Sequence, residues 1–210
     1  MRSAAPPWSV RPARGLPGRA AACAVVLGLA CSGALAHTEP AATAGILSGL
    51  LHPVQGPDHL LAMVAVGIWG AFLGAPLLWM LPIVFPLLMV AGGILGIAGV
   101  PMPSVEAGIA ASVVLLGSAI LAGWRAPLAA ALGLVAAFGV LHGYAHGTEL
   151  PDATSPAAYC AGFIVATGLL HLAGIALGRL GRLPLGRGVL RAAGGAMAVA
   201  GASMLMGVLA

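Results

Sequence analysis

The chain has 210 residues, of which 60% are hydrophobic and only 7% are charged, and its mean hydropathy is +1.07. This composition excludes a soluble domain and indicates a membrane protein. The formal charge of +4 does not predict a nucleic-acid partner, because the arginines that create the excess lie in an amino-terminal leader.

The first 36 residues are predicted to be a signal peptide that is removed. Four arginines between Arg2 and Arg19 precede the apolar stretch AACAVVLGLACSGALA, and Ala34-Leu35-Ala36 matches the small-x-small pattern of a cleavage site. Removal leaves five arginines against five acidic residues, so the predicted mature chain is neutral. It keeps Cys160 as its single cysteine, which excludes an intramolecular disulfide.

The rest of the chain is predicted to be an all-α, polytopic membrane domain. A helix needs about 20 apolar residues to cross the hydrocarbon core. Six such windows occur between residues 37 and 210. They lie at roughly 44–72, 76–99, 106–123, 127–150, 157–178 and 188–209.

Two signals predict the same orientation for this six-helix bundle. Cleavage of a signal peptide leaves the new amino terminus outside the cytoplasm, and six crossings return the carboxyl terminus to that side. The loops near 124–126 and 179–187 then face the cytoplasm, and they hold or adjoin every arginine of the mature chain, as the positive-inside rule requires. Trp69, Trp79 and Trp124 fall at predicted inner ends, where interfacial aromatic residues are expected.

The first span carries ionisable residues that are costly inside a bilayer. The stretch LLHPVQGPDHLLAM contains His52, Asp58 and His59, together with Pro53 and Pro57. An ionisable side chain in a membrane segment indicates function by default. The prolines predict a helix broken near Gly56-Pro57, a device that transporters use at substrate sites.

The fourth span carries a second ionisable group. His142, His146 and Glu149 in HGYAHGTE are spaced four and three residues apart and so share one helical face. His171 lies near the middle of the fifth span. His37 becomes the amino-terminal residue after cleavage and can chelate a metal through its amine and imidazole.

These residues predict a transition-metal site in the outer half of the bundle. Imidazoles with carboxylates and no thiolate suit borderline divalent ions such as Ni²⁺, Co²⁺, Zn²⁺ or Cu²⁺. They are a poor set for Mg²⁺, which prefers oxygen ligands alone. The candidate metal ligands are His37, His52, Asp58, His59, His142, His146, Glu149 and His171.

The spacing H-x5-D-H in the first span, together with HGYAHGTE in the fourth, resembles the HupE/UreJ family of nickel and cobalt permeases. The resemblance extends over essentially the whole chain. It implies six helices after signal cleavage, transport of Ni²⁺ or Co²⁺ into a bacterial cytoplasm, and service to hydrogenase or urease maturation. It also implies functional roles for His52, Asp58, His59, His142 and Glu149. Leu141 departs from the family pattern, which has Phe before the His-Gly pair.

The predicted function is therefore a secondary permease in the bacterial cytoplasmic membrane, with both termini in the periplasm, and not an enzyme. Its partners are a divalent metal ion and the lipid bilayer, with no nucleic acid. The ion is a transported substrate, and no permanently bound cofactor is expected. Two alternatives stay open. Three histidines and a carboxylate suit an intramembrane zinc-dependent hydrolase, and two facing histidines suit a b-type haem protein.

Overall fold

The computed structural model describes residues 41–150 and 155–210, with only the backbone for residues 41–44. The predicted signal peptide and His37 lie outside these residues. The described residues form helices and no strand, as predicted. The helices are α1 (Ala41–Gln55), α2 (Pro57–Leu73), α3 (Leu77–Ile97), α4 (Val105–Ala122), α5 (Leu128–Thr148), α6 (Pro156–Gly178), a short 3-10 helix (Arg179–Arg182) and α7 (Gly186–Leu209).

The predicted spans agree with these helices to within a few residues at each end. Helices α3 to α7 are each long and apolar enough to cross a membrane. Helices α1 and α2 pass the same test only together, as one candidate span that is bent. The chain is thus a multi-pass membrane protein with five candidate spans, or six when the bent pair is counted as one.

The predicted break in the first span is confirmed at Gly56. Gly56 has an extended backbone (φ −89°, ψ 110°), Pro57 begins α2, and the two helix axes meet at 82°. Pro57 has no amide hydrogen to continue the ladder of α1, so the chain restarts as a new helix. His52 and His59 therefore do not share a face through helical periodicity. The bend itself directs them towards each other.

Glycines let the backbones of α3 and α5 touch along their length. A Cβ atom on Gly92 would overlap the carbonyl of Val140, and one on Gly143 would overlap the carbonyl of Met89. Such close approach is typical of small residues spaced by four in membrane helices. His142 and His146 each come directly before a glycine that packs against α3, and consecutive residues point about 100° apart around a helix. The seam with α3 thus orients both histidines towards other helices.

The remaining helices pack in two groups that complete the bundle. Helices α1 and α2 both pack against α6, and α4 packs mainly against α7. Gly162 of α6 lies against the carbonyl of Ile46 in α1, and Gly174 lies against that of Val64 in α2. Helix α6 is therefore the common support of both halves of the bent span.

The three tryptophans at the predicted inner end have different environments. Trp79 and Trp124 are 52% and 44% exposed, as interfacial residues should be. Trp69 is 0% exposed and therefore packs inside the bundle at this end and does not face lipid. Its indole Nε1 donates to the Trp124 carbonyl at 3.1 Å, and the two rings stack. A buried indole requires such a partner for its N–H.

Candidate metal site

Six of the predicted ligands come together where α1, α2, α5 and α6 meet. The imidazole of His146 is central, with ring-centroid distances of 4.7 Å to His52 and 4.5 Å to His59. His59 in turn lies 4.7 Å from His142. Asp58 and Glu149 adjoin this row of four imidazoles at its sides.

The more exposed part of the site combines two imidazoles with a carboxylate. His52, His146 and Glu149 each offer one ligand atom, and these three atoms lie within 4.8 Å of one another. His52 Nε2 is 3.7 Å from Glu149 Oε2. The bend after α1 and the end of α5 bring these residues together, so the group depends on the broken span.

The deeper part of the site begins with His59, whose orientation is set by its neighbour. Asp58 Oδ1 accepts hydrogen bonds from both the backbone N–H and Nδ1 of His59, each at 2.8 Å. A proton on Nδ1 leaves a lone pair on Nε2, which is buried and has no hydrogen-bond partner among the described residues. A carboxylate behind a histidine is the usual outer-shell arrangement of metal sites. Asp58 thus holds the imidazole of His59 in one orientation.

His142 is oriented in the same way by Ser112 of α4. The Ser112 hydroxyl donates to the Ile109 carbonyl at 2.6 Å and lies 3.0 Å from His142 Nε2. A hydroxyl has one proton, so Ser112 Oγ can only accept from His142, and Nε2 must carry the hydrogen. The lone pair is then on Nδ1, which is buried and meets no hydrogen-bond donor in the part of the chain that the structure describes.

Glu149 and His52 are more exposed than the three imidazoles deeper in the row. The side chains of Glu149 and His52 are 54% and 31% exposed, and that of His59 is 9% exposed. His146 and His142 are 5% and 0% exposed. The interior of the site, around His146 and His142, is therefore shielded from water, whereas its edge at Glu149 and His52 is accessible.

Aromatic side chains form the walls of the deeper part. The Phe163 ring is 4.0 Å from that of His146, and the Phe85 ring is 5.4 Å from that of His142. The ring of His171 also lies 5.4 Å from that of Phe85. Among the described residues no close ring contact joins His171 to the other predicted ligands, although both of its nitrogens are buried there without a hydrogen-bond partner.

Ser112 was not among the predicted site residues, although the sequence contains a signal for it. Ser112 is a polar residue in the apolar run IAASVV, about 10 Å from the start of α4 at 1.5 Å per residue. His142 is about 9 Å from the end of α5 by the same measure. The start of α4 and the end of α5 lie on the same side of the bundle, so the similar depths of Ser112 and His142 predict that the two residues lie at one level. His37 remains a predicted ligand outside the described residues.

Comparison with known proteins supports the resemblance seen in the motifs. The family described as HupE / UreJ protein matches residues 24–204. "Protein HupE" from Rhizobium leguminosarum bv. viciae is 44% identical over 163 residues, which are 78% of this chain and 85% of that protein. No solved structure matches the chain.

Proposed function

Because the chain belongs to the HupE/UreJ family, we propose that it is a secondary permease that imports Ni²⁺ or Co²⁺ for hydrogenase or urease maturation. The ion is its substrate, and the chain is a transporter without enzymatic activity. We place it in the cytoplasmic membrane of a bacterium, with Glu149 and His52 towards the periplasm and the arginine-bearing loops towards the cytoplasm.

The observation that carries this proposal is a set of inward-facing nitrogen atoms without partners. His59 Nε2, His142 Nδ1 and both nitrogens of His146 are buried and accept or donate no hydrogen bond within the described protein. A buried polar atom without a partner costs about 1–3 kcal/mol. A divalent cation can coordinate several of these nitrogens at once. A core that served packing alone would not need unpaired polar atoms.

The chemistry of the donors favours a transition metal. The four clustered imidazoles outnumber the adjoining carboxylates, and no thiolate is among them. This set suits Ni²⁺ and Co²⁺ and is too rich in nitrogen for Mg²⁺ or Ca²⁺. The sequence contains no lysine and hence no GxxxxGK[ST] loop, so ATP hydrolysis by this chain is not invoked.

The graded exposure supports transport over permanent storage. A cation bound first between Glu149 and His52 exchanges its water for protein ligands one step at a time as it reaches His146 and His59. Each step replaces some of the bound water molecules by a nearby imidazole nitrogen, so no single step requires the ion to lose all of its water. The deeper group, with His142, then holds the ion before release towards the other side.

Uptake by reconstituted protein tests the proposal. Liposomes that contain the purified chain are expected to accumulate radioactive Ni²⁺ or Co²⁺ well above protein-free liposomes, and to accumulate no Mg²⁺. The double variant His142→Ala/His146→Ala is the matched control and should give the protein-free rate. Equal accumulation by the double variant and the wild type would refute the assignment.

Removal of the Ser112 hydroxyl is expected to weaken metal uptake without blocking it. Ser112→Ala frees His142 to rotate and to place its proton on either nitrogen, so the fraction of protein with a lone pair on Nδ1 falls. Loss of an outer-shell partner typically costs about 10–100-fold in metal affinity. We therefore expect the KM for uptake to rise about tenfold or more, with a smaller change in kcat.

Ser203→Ala is a matched control for this change. Ser203 donates to the Ala200 carbonyl at 2.7 Å, the same bond that Ser112 makes, but it touches no histidine. Its KM should stay at the wild-type value. Ser112→Thr keeps a hydroxyl at the same position and should restore most of the affinity. A wild-type KM for Ser112→Ala would show that Ser112 does not position His142.

A further inference from the structure

All five arginines that follow residue 40 line one depression at the end of the bundle opposite the metal site. This arginine basin has a volume of about 620 Å³, within the range of about 300–1,000 Å³ that small-molecule sites occupy. Its floor consists largely of glycine and alanine, whose small size leaves the space open. The basin arginines are Arg125, Arg179, Arg182, Arg187 and Arg191.

Three separate parts of the chain contribute to the basin. Arg125 lies between α4 and α5, Arg179 and Arg182 lie in the 3-10 helix, and Arg187 and Arg191 lie in the first turns of α7. The positive-inside rule explains why arginines lie on one side of a membrane. It does not explain why these three parts of the chain direct all of their arginines to one concave surface.

No carboxylate among the described residues neutralises the basin. The ion pairs within residues 41–150 and 155–210 are those of His52 and His59, and none involves an arginine. Asp58 lies in the first turn of α2, about 22 Å from the end of that helix beside the basin. Glu149 follows α5, which is about 31 Å long and starts next to Arg125. The charges of the bundle are thus separated along its axis.

Two of the guanidinium groups are held in place by backbone carbonyls. Arg191 Nε donates to the Leu121 carbonyl at 2.6 Å, and Arg187 Nε donates to the Gly181 carbonyl at 3.4 Å. These bonds use the Nε–H and leave the terminal NH₂ groups free. A fixed guanidinium with free terminal donors binds phosphate oxygens in a bidentate manner.

Because the basin lies at the ends of candidate membrane spans, we expect it at the level of the lipid headgroups, and apolar side chains border it. It is formed by the ends of membrane-crossing helices, where Trp79 and Trp124 are exposed. Leu183 and Leu185, in the connection between the arginines, are 57% and 84% exposed. Phosphate-binding donors next to exposed leucines match a molecule that carries a phosphodiester and acyl chains.

We propose that the arginine basin is a binding site for the phosphodiester headgroup of an anionic phospholipid such as cardiolipin or phosphatidylglycerol. Its five positive charges are more than one phosphate neutralises, which favours the two phosphates of cardiolipin. The bound lipid lowers the positive potential at this end of the bundle. The site does not depend on the metal ligands and stands independently of the proposed transport.

Native mass spectrometry of the purified full chain tests this site, with cardiolipin and phosphatidylethanolamine as competing lipids in the same detergent. The wild type should retain cardiolipin in preference. Arg182→Gln/Arg187→Gln should lower cardiolipin binding about 30-fold, since each arginine near a membrane surface strengthens the binding of an anionic lipid about fivefold. Arg182→Lys/Arg187→Lys keeps both charges and should bind more tightly than the Gln pair.

Two results would overturn the proposal. The first is equal retention of both lipids by the wild type, or an unchanged preference in the Gln pair. The second is displacement of cardiolipin by a soluble oligoglutamate peptide that binds the wild type more tightly, because the basin would then serve an acidic protein. Ni²⁺ binding by the same samples separates this test from the transport proposal, since the Gln pair should bind Ni²⁺ as the wild type does.

Discussion

His59→Ala is expected to reduce Ni²⁺ or Co²⁺ uptake by more than about 100-fold, beyond the 10–100-fold loss typical of an outer-shell partner. His59 connects the two parts of the site, because its ring lies 4.5 Å from that of His146 and 4.7 Å from that of His142. Its removal interrupts the row of imidazoles at the centre. Initial uptake rates in liposomes with equal amounts of protein measure the effect.

Two variants near His59 show whether the loss is specific. Gln55→Ala changes an exposed polar residue four positions earlier and should leave the rate unchanged. Asp58→Asn keeps an oxygen acceptor for His59 but removes the charge, so it should fall between Gln55→Ala and His59→Ala. Wild-type uptake by His59→Ala would exclude His59 from the transport path.

Gly143→Ala is expected to disrupt the seam between α3 and α5, with loss of both thermal stability and uptake. The added methyl group would overlap the Met89 carbonyl, which belongs to a backbone and cannot turn away. Forcing an extra methyl group into a packed interior typically costs about 1–3 kcal/mol. Because Gly143 follows His142 directly, separating the helices also displaces that imidazole. A lower melting temperature in detergent is the direct readout.

Gly133→Ala is the matched control on the same helix. A Cβ atom at Gly133 meets nothing within 4 Å, and alanine is favoured over glycine within a helix by roughly 0.5–1 kcal/mol. The melting temperature of this variant should equal or exceed that of the wild type. If Gly143→Ala were as stable as Gly133→Ala, the close approach of α3 and α5 would be contradicted.

Much of the fold could be predicted because membrane crossing imposes simple requirements on sequence. A span needs a continuous apolar stretch, and turn residues such as Gly74 or Pro127 mark its ends. The break at Gly56 was predictable for a similar reason, since Pro57 lacks the hydrogen that α1 needs to continue. The sequence does not specify the angle of 82°, which depends on how α1 and α2 each pack against α6.

The clustering of the site was predictable in part. Helical periodicity places His142, His146 and Glu149 on one face, and the structure brings them to His52 and His59. Periodicity cannot specify which neighbouring helix covers that face. Hence His171 was predicted with the other ligands, whereas in the structure its ring packs against Phe85.

Trp69 illustrates the same limit in another part of the bundle. Its position near the end of α2 predicts an interfacial side chain, because the limits of an apolar span indicate how deep each residue lies along the membrane normal. Whether a residue at that depth faces lipid or protein depends on packing. The partner that covers Trp69 is the carbonyl of Trp124, which is 55 residues away in sequence.

X-ray absorption at the nickel edge, on purified protein loaded with one equivalent of Ni²⁺, tests the binding of metal by the clustered histidines most directly. We predict multiple scattering from the imidazoles of His59, His142 and His146, and fewer imidazoles in His146→Ala. A spectrum that shows oxygen ligands alone, or one that is identical in the wild type and His146→Ala, would contradict a metal site at this cluster.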